Sequence, residues 1–199
     1  MVDKTGLIKT DASLTHKPQR SLMRDLFVAL FASILLTLSA KIAIPFYPVP
    51  LTMQTFVVIG IGLALGPRLG LAAVGLYLLQ GALGLPVFAG TPEKGIGFAY
   101  MMGPTGGYLA GYLLAVVVTG WLAMRGWDRH ILTAFAAALA GAAILYLPGL
   151  LWLGTLFGWD KPILAWGLYP FIPGDLVKAA LAAVAFPAAW RFLQSRGLA

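Results

Sequence analysis

Long apolar runs dominate the pattern of hydrophobic and polar positions along this chain of 199 residues. A membrane-spanning helix needs about 20 predominantly apolar residues, with a range of roughly 17 to 25. Six runs approach or reach this length, at approximately 25–44, 50–66, 68–85, 104–124, 131–153 and 172–193. The second and third runs are separated by Pro67 between two glycines, which is typical of a tight turn. The pattern therefore predicts an all-α integral membrane protein with a bundle of six transmembrane helices.

Composition supports this class and excludes several others. Hydrophobic residues make up 60% of the chain and charged residues 11%, whereas a soluble domain has about 25% charged residues. The net charge is +7, but the basic residues are spread along the sequence, so we expect no nucleic-acid binding. Cysteine is absent and the two histidines, His16 and His130, lie far apart, so we expect no metal and no cofactor. Since no apolar run holds a histidine and no phosphate loop ends in Gly-Lys-Ser/Thr, we expect no catalytic residues.

Lysine and arginine collect on one side of the predicted bundle. That side carries Lys4, Lys9, Lys17, Arg20, Arg24, Arg68, Arg125, Arg129, Arg191 and Arg196, and the other has only Lys41, Lys94 and Lys161. The positive-inside rule then places both termini in the cytoplasm. We expect residues 1–24 to form a cytoplasmic arm and residues 25–199 a transmembrane domain in the cytoplasmic membrane of a bacterium.

Small residues recur at four-residue spacing, for example Gly107 and Gly111. Such pairs let helix backbones approach closely and indicate a compact bundle. Ala29, Ala32 and Ser33 form a similar surface on the first helix. This surface could pack inside the bundle or dock a partner, and the spacing does not separate the two.

The last apolar run contains an acid and a base one helical turn apart, Asp175 and Lys178. A lone charge near the bilayer centre costs about 2.5 to 3.5 kcal/mol on insertion scales, so such residues usually face a cavity, a partner or a ligand. Asp175 could instead cap the helix N-terminus. Lys178 lies at the unfavourable end of the helix dipole and needs an anion, which could be Asp175 on the same face or a ligand carboxylate.

Further polar groups lie at helix ends on the same predicted outer side. They are Thr52, Gln54, Thr55, Gln80, Thr105 and Tyr108, with Phe46, Phe88 and Tyr100 as candidate aromatic walls. The outer loop at 85–103 has the composition of a lid, although an exposed connector is the alternative. Converging polar groups and aromatic walls predict a small-molecule pocket near the extracytoplasmic face.

Five motifs occur in order along the chain: PVPLTMQT at 48–55, LGPRLG at 65–70, YLLQGALGLPVFAG at 77–90, GPTGGY at 103–108 and PGDLVK at 173–178. In order and spacing they resemble the BioY family, the substrate-capture subunits of energy-coupling-factor biotin transporters. The resemblance implies a six-helix fold that binds biotin near its outer face, with a transmembrane coupling subunit and a pair of ATPases as partners. It also implies that some members act without the coupling subunit and ATPases. Whether this protein forms a homo-oligomer is left open.

The resemblance further implies roles for individual residues. Asp175 would accept from the ureido N–H groups of biotin, and Lys178 would pair with Asp175 or reach the ligand carboxylate. Ala29 and Ser33 would meet the coupling subunit, although Ser33 replaces the alanine usual in that motif. Two alternatives remain: the same fold used for riboflavin or thiamine, and an intramembrane enzyme or structural subunit.

Overall fold

The protein is a helical bundle, seen here in a computed structural model that describes residues 21–197. Its elements are α1 (Leu22–Lys41), β1 (Ala43–Ile44), β2 (Leu51–Thr52), α2 (Gln54–Ala82), α3 (Gly97–Met101), α4 (Gly106–Met124), α5 (Ile131–Phe157), α6 (Ile163–Gly167) and α7 (Ile172–Ser195). The two short strands pair antiparallel, with Ala43 opposite Thr52. Most of the predicted arm, residues 1–20, lies outside the described residues, so the boundary near residue 24 stays a prediction.

Helix α2 consists of two helices that fold back on each other at Gly66. This residue has φ 74° and ψ 178°, a conformation that favours glycine, and Pro67 begins the second half. The side-chain amide nitrogen of Gln54, Nε2, donates to the hydroxyl of Tyr77 at 2.6 Å, although 23 residues separate them. In a straight helix they would lie about 35 Å apart at 1.5 Å per residue. The halves 54–65 and 67–82 therefore form a hairpin.

The prediction of six spanning helices is confirmed. Five helical segments are long and apolar enough to cross a membrane, and α2, one of the five, contains two of the predicted runs. The helix ends differ from the predicted ends by at most four residues at each terminus. Such differences are expected because helix ends fray and because polar end residues carry little periodic signal.

Helix α4 is the centre of the bundle and packs against both α2 and α5. A Cβ atom at Gly111 would lie 2.6 Å from the carbonyl oxygen of Leu145, and one at Gly107 would overlap the carbonyl oxygen of Pro148. These glycines thus allow α4 to approach the α5 backbone, as their spacing predicted. More than half of α4 is buried, against just over a quarter of α1, whose outer face is apolar.

The chain order places different segments at the two ends of the bundle. The loops before α2, before α4 and before α7 share one end with the C-terminus of α1. The turn at Gly66, the α4–α5 turn and the C-terminus of α7 share the other end, together with Arg68, Arg125, Arg129 and Arg191. We call these the loop end and the basic end.

Candidate ligand-binding site

A cavity of about 40 Å³ lies at the loop end, between the N-terminal ends of α2, α4 and α7 and the middle of α5. Its polar lining consists of Thr52, Gln54, Thr55, Thr105 and Lys178. Its aromatic lining consists of Tyr100, Tyr108, Tyr112, Tyr146 and Phe171. A hollow of this composition, largely aromatic with a few convergent polar groups and one cation, is typical of a small-molecule site.

The ionic pair at this cavity is buried and fully connected. Asp175 is 6% exposed, and its Oδ1 lies 3.2 Å from the Lys178 ammonium nitrogen. The Lys178 ammonium also donates to the Thr55 hydroxyl at 2.8 Å, and that hydroxyl donates to Asp175 Oδ1 at 3.3 Å. The Tyr146 hydroxyl donates to the second carboxylate oxygen. Three helices, α2, α5 and α7, thus meet through this carboxylate.

These contacts decide between the two interpretations of Asp175. Helix α7 begins at Ile172, and no side chain among the described residues caps its N-terminus. Asp175 therefore compensates the charge of Lys178 instead of capping the helix. Lys178 itself lines the cavity, whereas Asp175 lies directly behind Lys178, Thr55 and Tyr146.

Lys178 keeps capacity to bind a further group. An ammonium has three N–H donors, and here one is directed to Thr55 and one to Asp175. The third can donate to an acceptor placed in the cavity. Because the aspartate compensates the charge of the lysine, the lysine does not need a ligand as its counterion and still offers a positioned donor.

Gln54 forms a second fixed polar group on the wall. Its amide donates to Tyr77, whose hydroxyl donates in turn to the carbonyl of Val87 at 3.2 Å. Its backbone N–H donates to the Thr52 hydroxyl at 3.3 Å. The α2 hairpin creates this arrangement, because only the fold at Gly66 brings Tyr77 beside the start of α2.

Aromatic rings close the sides of the cavity. Tyr108 stacks on Phe171 with ring centroids 6.3 Å apart, and Tyr146 meets both rings edge-on. The Tyr108 hydroxyl donates to the carbonyl of Gly167 at 2.7 Å, which ties α4 to α6. Rings from three parts of the chain therefore form a rigid apolar surface opposite the polar groups.

The loop before α4 supplies another wall. Ala89 and Tyr100 line the cavity, and the Tyr100 hydroxyl donates to the carbonyl of Ala89 at 2.7 Å. Burial raises the pKa of Tyr100, so the hydroxyl stays protonated as a donor. Phe88 lies behind this wall, stacked on Tyr100 at 5.0 Å.

The structure brings together most of the residues that the sequence indicated. Of the ten predicted ligand-binding residues, six line the cavity: Thr52, Gln54, Tyr100, Thr105, Tyr108 and Lys178. Asp175 and Phe88 form the layer behind them. Phe46 is 38% exposed and meets Phe171 edge-on at 6.5 Å, at the margin of the site.

Gln80 occupies a different position from the one expected. Its side-chain oxygen accepts a hydrogen bond from the Ser33 hydroxyl, between α1 and the second half of α2. Ala29 and Ser33, the predicted docking pair, are buried in the chain. Of the two uses left open for this small-residue surface, the structure has internal packing against α2. Docking through these residues stays a prediction.

Three aromatic cavity residues were missed from the sequence: Tyr112, Tyr146 and Phe171. Tyr112 follows Tyr108 by one helical turn, so the same face of α4 could have been extended. Tyr146 places one hydroxyl inside an apolar span. This is a weak signal, because helix composition alone does not distinguish a ligand-binding tyrosine from one that only packs in the core. Phe171 precedes the helix that carries Asp175.

A buried cavity with one positioned cation, at the end of a bundle of membrane-length helices, defines a membrane protein that binds a small molecule. The BioY family model matches residues 10–195, and the chain belongs to the BioY family.

Individual relatives agree with this membership. The probable biotin transporter BioY of Pyrococcus horikoshii is 41% identical over 157 residues, which cover 79% of this chain and 90% of that protein. The biotin transporter BioY of Thermotoga maritima is 38% identical over 162 residues, covering 81% of this chain and 93% of the relative. A crystal structure of the S-component for biotin from an ECF-type ABC transporter matches with a TM-score of 0.70 and 27% identity, covering 85% of this chain and 92% of that one.

Proposed function

We propose that this protein captures biotin at the outer face of the cytoplasmic membrane and serves biotin uptake as the S component of an energy-coupling-factor transporter. Its relatives are named as biotin transporters, and the similar solved structure is an S-component for biotin. The observation that carries the proposal is the Lys178 ammonium, which lines a buried cavity with one donor position left for a ligand.

The cavity wall matches the chemistry of biotin group by group. Biotin has a carboxylate, a ureido carbonyl acceptor with two N–H donors, and an apolar ring and chain. Lys178 can donate to either acceptor, Gln54 and Thr105 can pair with the ureido group, and Tyr108 with Phe171 can cover the ring. Because Asp175 lies behind Lys178, we favour Asp175 as the group that positions the lysine over a direct contact with the ureido group.

Ligand entry requires the site to widen. The cavity of about 40 Å³ is far smaller than the roughly 300 to 1,000 Å³ of small-molecule pockets. Val49 and Pro50, from the loop between the two strands, lie on its wall. We infer that wall side chains or a loop at this end move apart when biotin enters.

The proposed partners are a transmembrane coupling subunit and a pair of ATPases. A role for Ala29 and Ser33 in docking requires α1 to separate from α2, which the hydrogen bond between Ser33 and Gln80 opposes. Both termini are proposed to be cytoplasmic because the arginines collect at the basic end. Uptake by vesicles that contain the protein with or without ATPase subunits distinguishes dependence on a coupling module from action alone or as a homo-oligomer.

The direct test is equilibrium binding of radiolabelled biotin to the purified protein, with unlabelled riboflavin and thiamine as competitors. We expect saturable binding that excess biotin removes and that the other two vitamins do not. Competition by riboflavin or thiamine would show that the protein binds that vitamin and would contradict specificity for biotin. Absence of binding to any of the three would contradict the proposal and favour a structural or enzymatic role.

A further inference from the structure

The C-terminal residue of α1 reaches across to the loop that forms one wall of the cavity. The Lys41 ammonium donates to the carbonyl of Phe88 at 2.9 Å, to the carbonyl of Thr91 at 3.3 Å and to the Thr91 hydroxyl at 3.1 Å. Its three donor positions are matched by three acceptors. A cation at the C-terminal end of a helix is also favoured by the helix dipole.

Residues 87–91, here called the wall segment, have no helix or strand to hold them. Side chains supply many of its hydrogen bonds. Tyr77 donates to the carbonyl of Val87, and Tyr100 to that of Ala89. Lys41 holds the carbonyls of Phe88 and Thr91. Four carbonyls of the wall segment therefore accept hydrogen bonds from side chains of α1, α2 and α3. The Phe88 carbonyl also accepts from the Thr91 hydroxyl at 2.7 Å and from the Thr91 N–H at 3.4 Å.

The wall segment is anchored on the side that faces away from the cavity. The Phe88 ring is fully buried and lies so close to Gly81 that a Cβ atom there would overlap it. Tyr77 meets the same ring edge-on at 5.5 Å. The Phe88 ring therefore ties the segment to the second half of α2. Lys41 adds a tie to a different helix, α1, so both contacts hold the segment in place.

The hydrogen bonds that Lys41 donates differ in strength from those that Tyr77 and Tyr100 donate. Hydrogen bonds from a charged donor are roughly twice as strong as those between neutral groups, and the tyrosine hydroxyls are neutral. Lys41 also lies outside the ring of cavity-lining residues, so it has no contact with the space a ligand would fill. Lys41 therefore does not contact the ligand directly, and its hydrogen bonds lead to the wall segment.

We propose that Lys41 is a positioning residue that holds the wall segment against the cavity and thereby slows release of the bound ligand. The proposal rests on the proposed function for the identity of that ligand. It assigns Lys41 an effect on the dissociation rate, because a segment that is held shut must open before the ligand leaves. The association rate changes less, since it is set mainly by encounter and orientation.

A first experiment measures the wall segment without any ligand. The chain has no cysteine, so Ala89→Cys gives a single thiol at a site that is 3% exposed. We expect slow reaction with a water-soluble maleimide in the parent, about tenfold faster reaction with Lys41→Met added, and near-parent rates with Lys41→Arg. Lys161→Met is the matched control, because Lys161 pairs only with its exposed neighbour Asp160 among the described residues.

A second experiment measures release of radiolabelled biotin after dilution into unlabelled biotin. We expect Lys41→Met to speed dissociation about tenfold and to change association by less than about twofold, with rescue by Lys41→Arg. Thr91→Val removes one acceptor of the ammonium, together with the hydroxyl that donates to the Phe88 carbonyl at 2.7 Å, and should act in the same direction with a smaller effect. If Lys41→Met does not fold, Thr91→Val decides the question by the same measurements.

The two experiments separate the two proposals. If thiol reaction is faster in Lys41→Met but the parent does not bind biotin, the result supports the role of Lys41 and contradicts biotin as the ligand. Normal biotin binding with unchanged thiol reaction and unchanged release would remove the role of Lys41. Equal losses in Lys41→Met and Lys41→Arg would also overturn it, because the arginine can still reach the carbonyls.

Discussion

Two buried carboxylates lie at opposite ends of the bundle, and their surroundings differ. Asp175, at the loop end, has partners on both oxygens from Thr55, Lys178 and Tyr146. Asp128, at the basic end, is 3% exposed and accepts from the Trp190 indole on one oxygen. Its other oxygen has no partner within residues 21–197. Burial of an acid thus does not by itself indicate a binding site.

What separates the two ends is the combination of a cation, further polar groups and a cavity. At the loop end, the partners of Asp175 form part of the cavity wall. At the basic end, Asp128 ties the α4–α5 turn to α7, and the Arg129 guanidinium lies 4.8 Å from the centre of the Trp190 ring. We infer a binding role for the first carboxylate and a structural role for the second.

The largest effect is expected for Asp175→Asn. The amide keeps the size of the side chain but leaves Lys178 without a countercharge in a buried site. Removing one member of a buried ion pair costs about 3–5 kcal/mol of stability. Because Asp175 also holds Lys178 in its position at the cavity, we expect a loss of biotin affinity of more than about 100-fold. Equilibrium binding with labelled biotin measures it. Asp128→Asn is the matched control and should change affinity less than about twofold. Unchanged affinity in Asp175→Asn would contradict a role of Asp175 in the site.

The second prediction concerns the role of Lys178. Lys178→Ala should weaken binding of biotin about tenfold more than binding of biotin methyl ester, because the ester lacks the anion that the ammonium would meet. Competition of both compounds against labelled biotin, in the parent and the variant, gives the two losses. Equal losses would exclude a direct contact between Lys178 and the carboxylate, and would favour a contact with the ureido carbonyl.

A smaller effect is expected for Tyr146→Phe. Loss of the hydroxyl leaves one oxygen of Asp175 without its donor, which costs about 1–3 kcal/mol for a buried group. We expect roughly tenfold weaker biotin binding. Tyr169→Phe is the control, since Tyr169 is exposed outside the cavity. A Tyr146→Phe variant that binds like this control would mean that the carboxylate network does not shape the site.

Sequence patterns predicted the helices well because length and apolarity are properties of each segment alone. The hairpin at Gly66 and Pro67 followed from local backbone preferences. The pairing of Asp175 with Lys178 was one of two partners that the spacing on one helix left open for the lysine, and the structure has it at 3.2 Å. Each of these inferences needed information from one element only.

Contacts between helices were not predictable in the same way. Tyr146 meets Asp175 because α5 crosses α7 at a particular rotation, which depends on how their side chains interlock. Gln80 shares the loop end with the cavity but faces Ser33 instead. The second half of α2 is apolar on most sides, so its sequence did not determine which face turns toward the cavity.

The smallest effect on ligand binding is expected for Trp190→Phe, which tests the structural role assigned to the basic end. The change removes the indole donor and leaves a second oxygen of Asp128 buried without a partner. An unpaired buried acceptor costs about 1–3 kcal/mol, so the midpoint of thermal unfolding should fall while biotin affinity stays within about twofold.

Trp121→Phe is the matched control for this change. Trp121 is exposed beside Arg125, so its replacement removes an indole without disturbing a buried carboxylate, and we expect a smaller loss of stability. In an Asp128→Asn background, Trp190→Phe should cost less than in the parent, because the two residues share one contact and their effects are not additive. If Trp190→Phe weakened biotin binding as much as Tyr146→Phe, the two ends would be coupled. A structural role confined to the basic end would then be wrong.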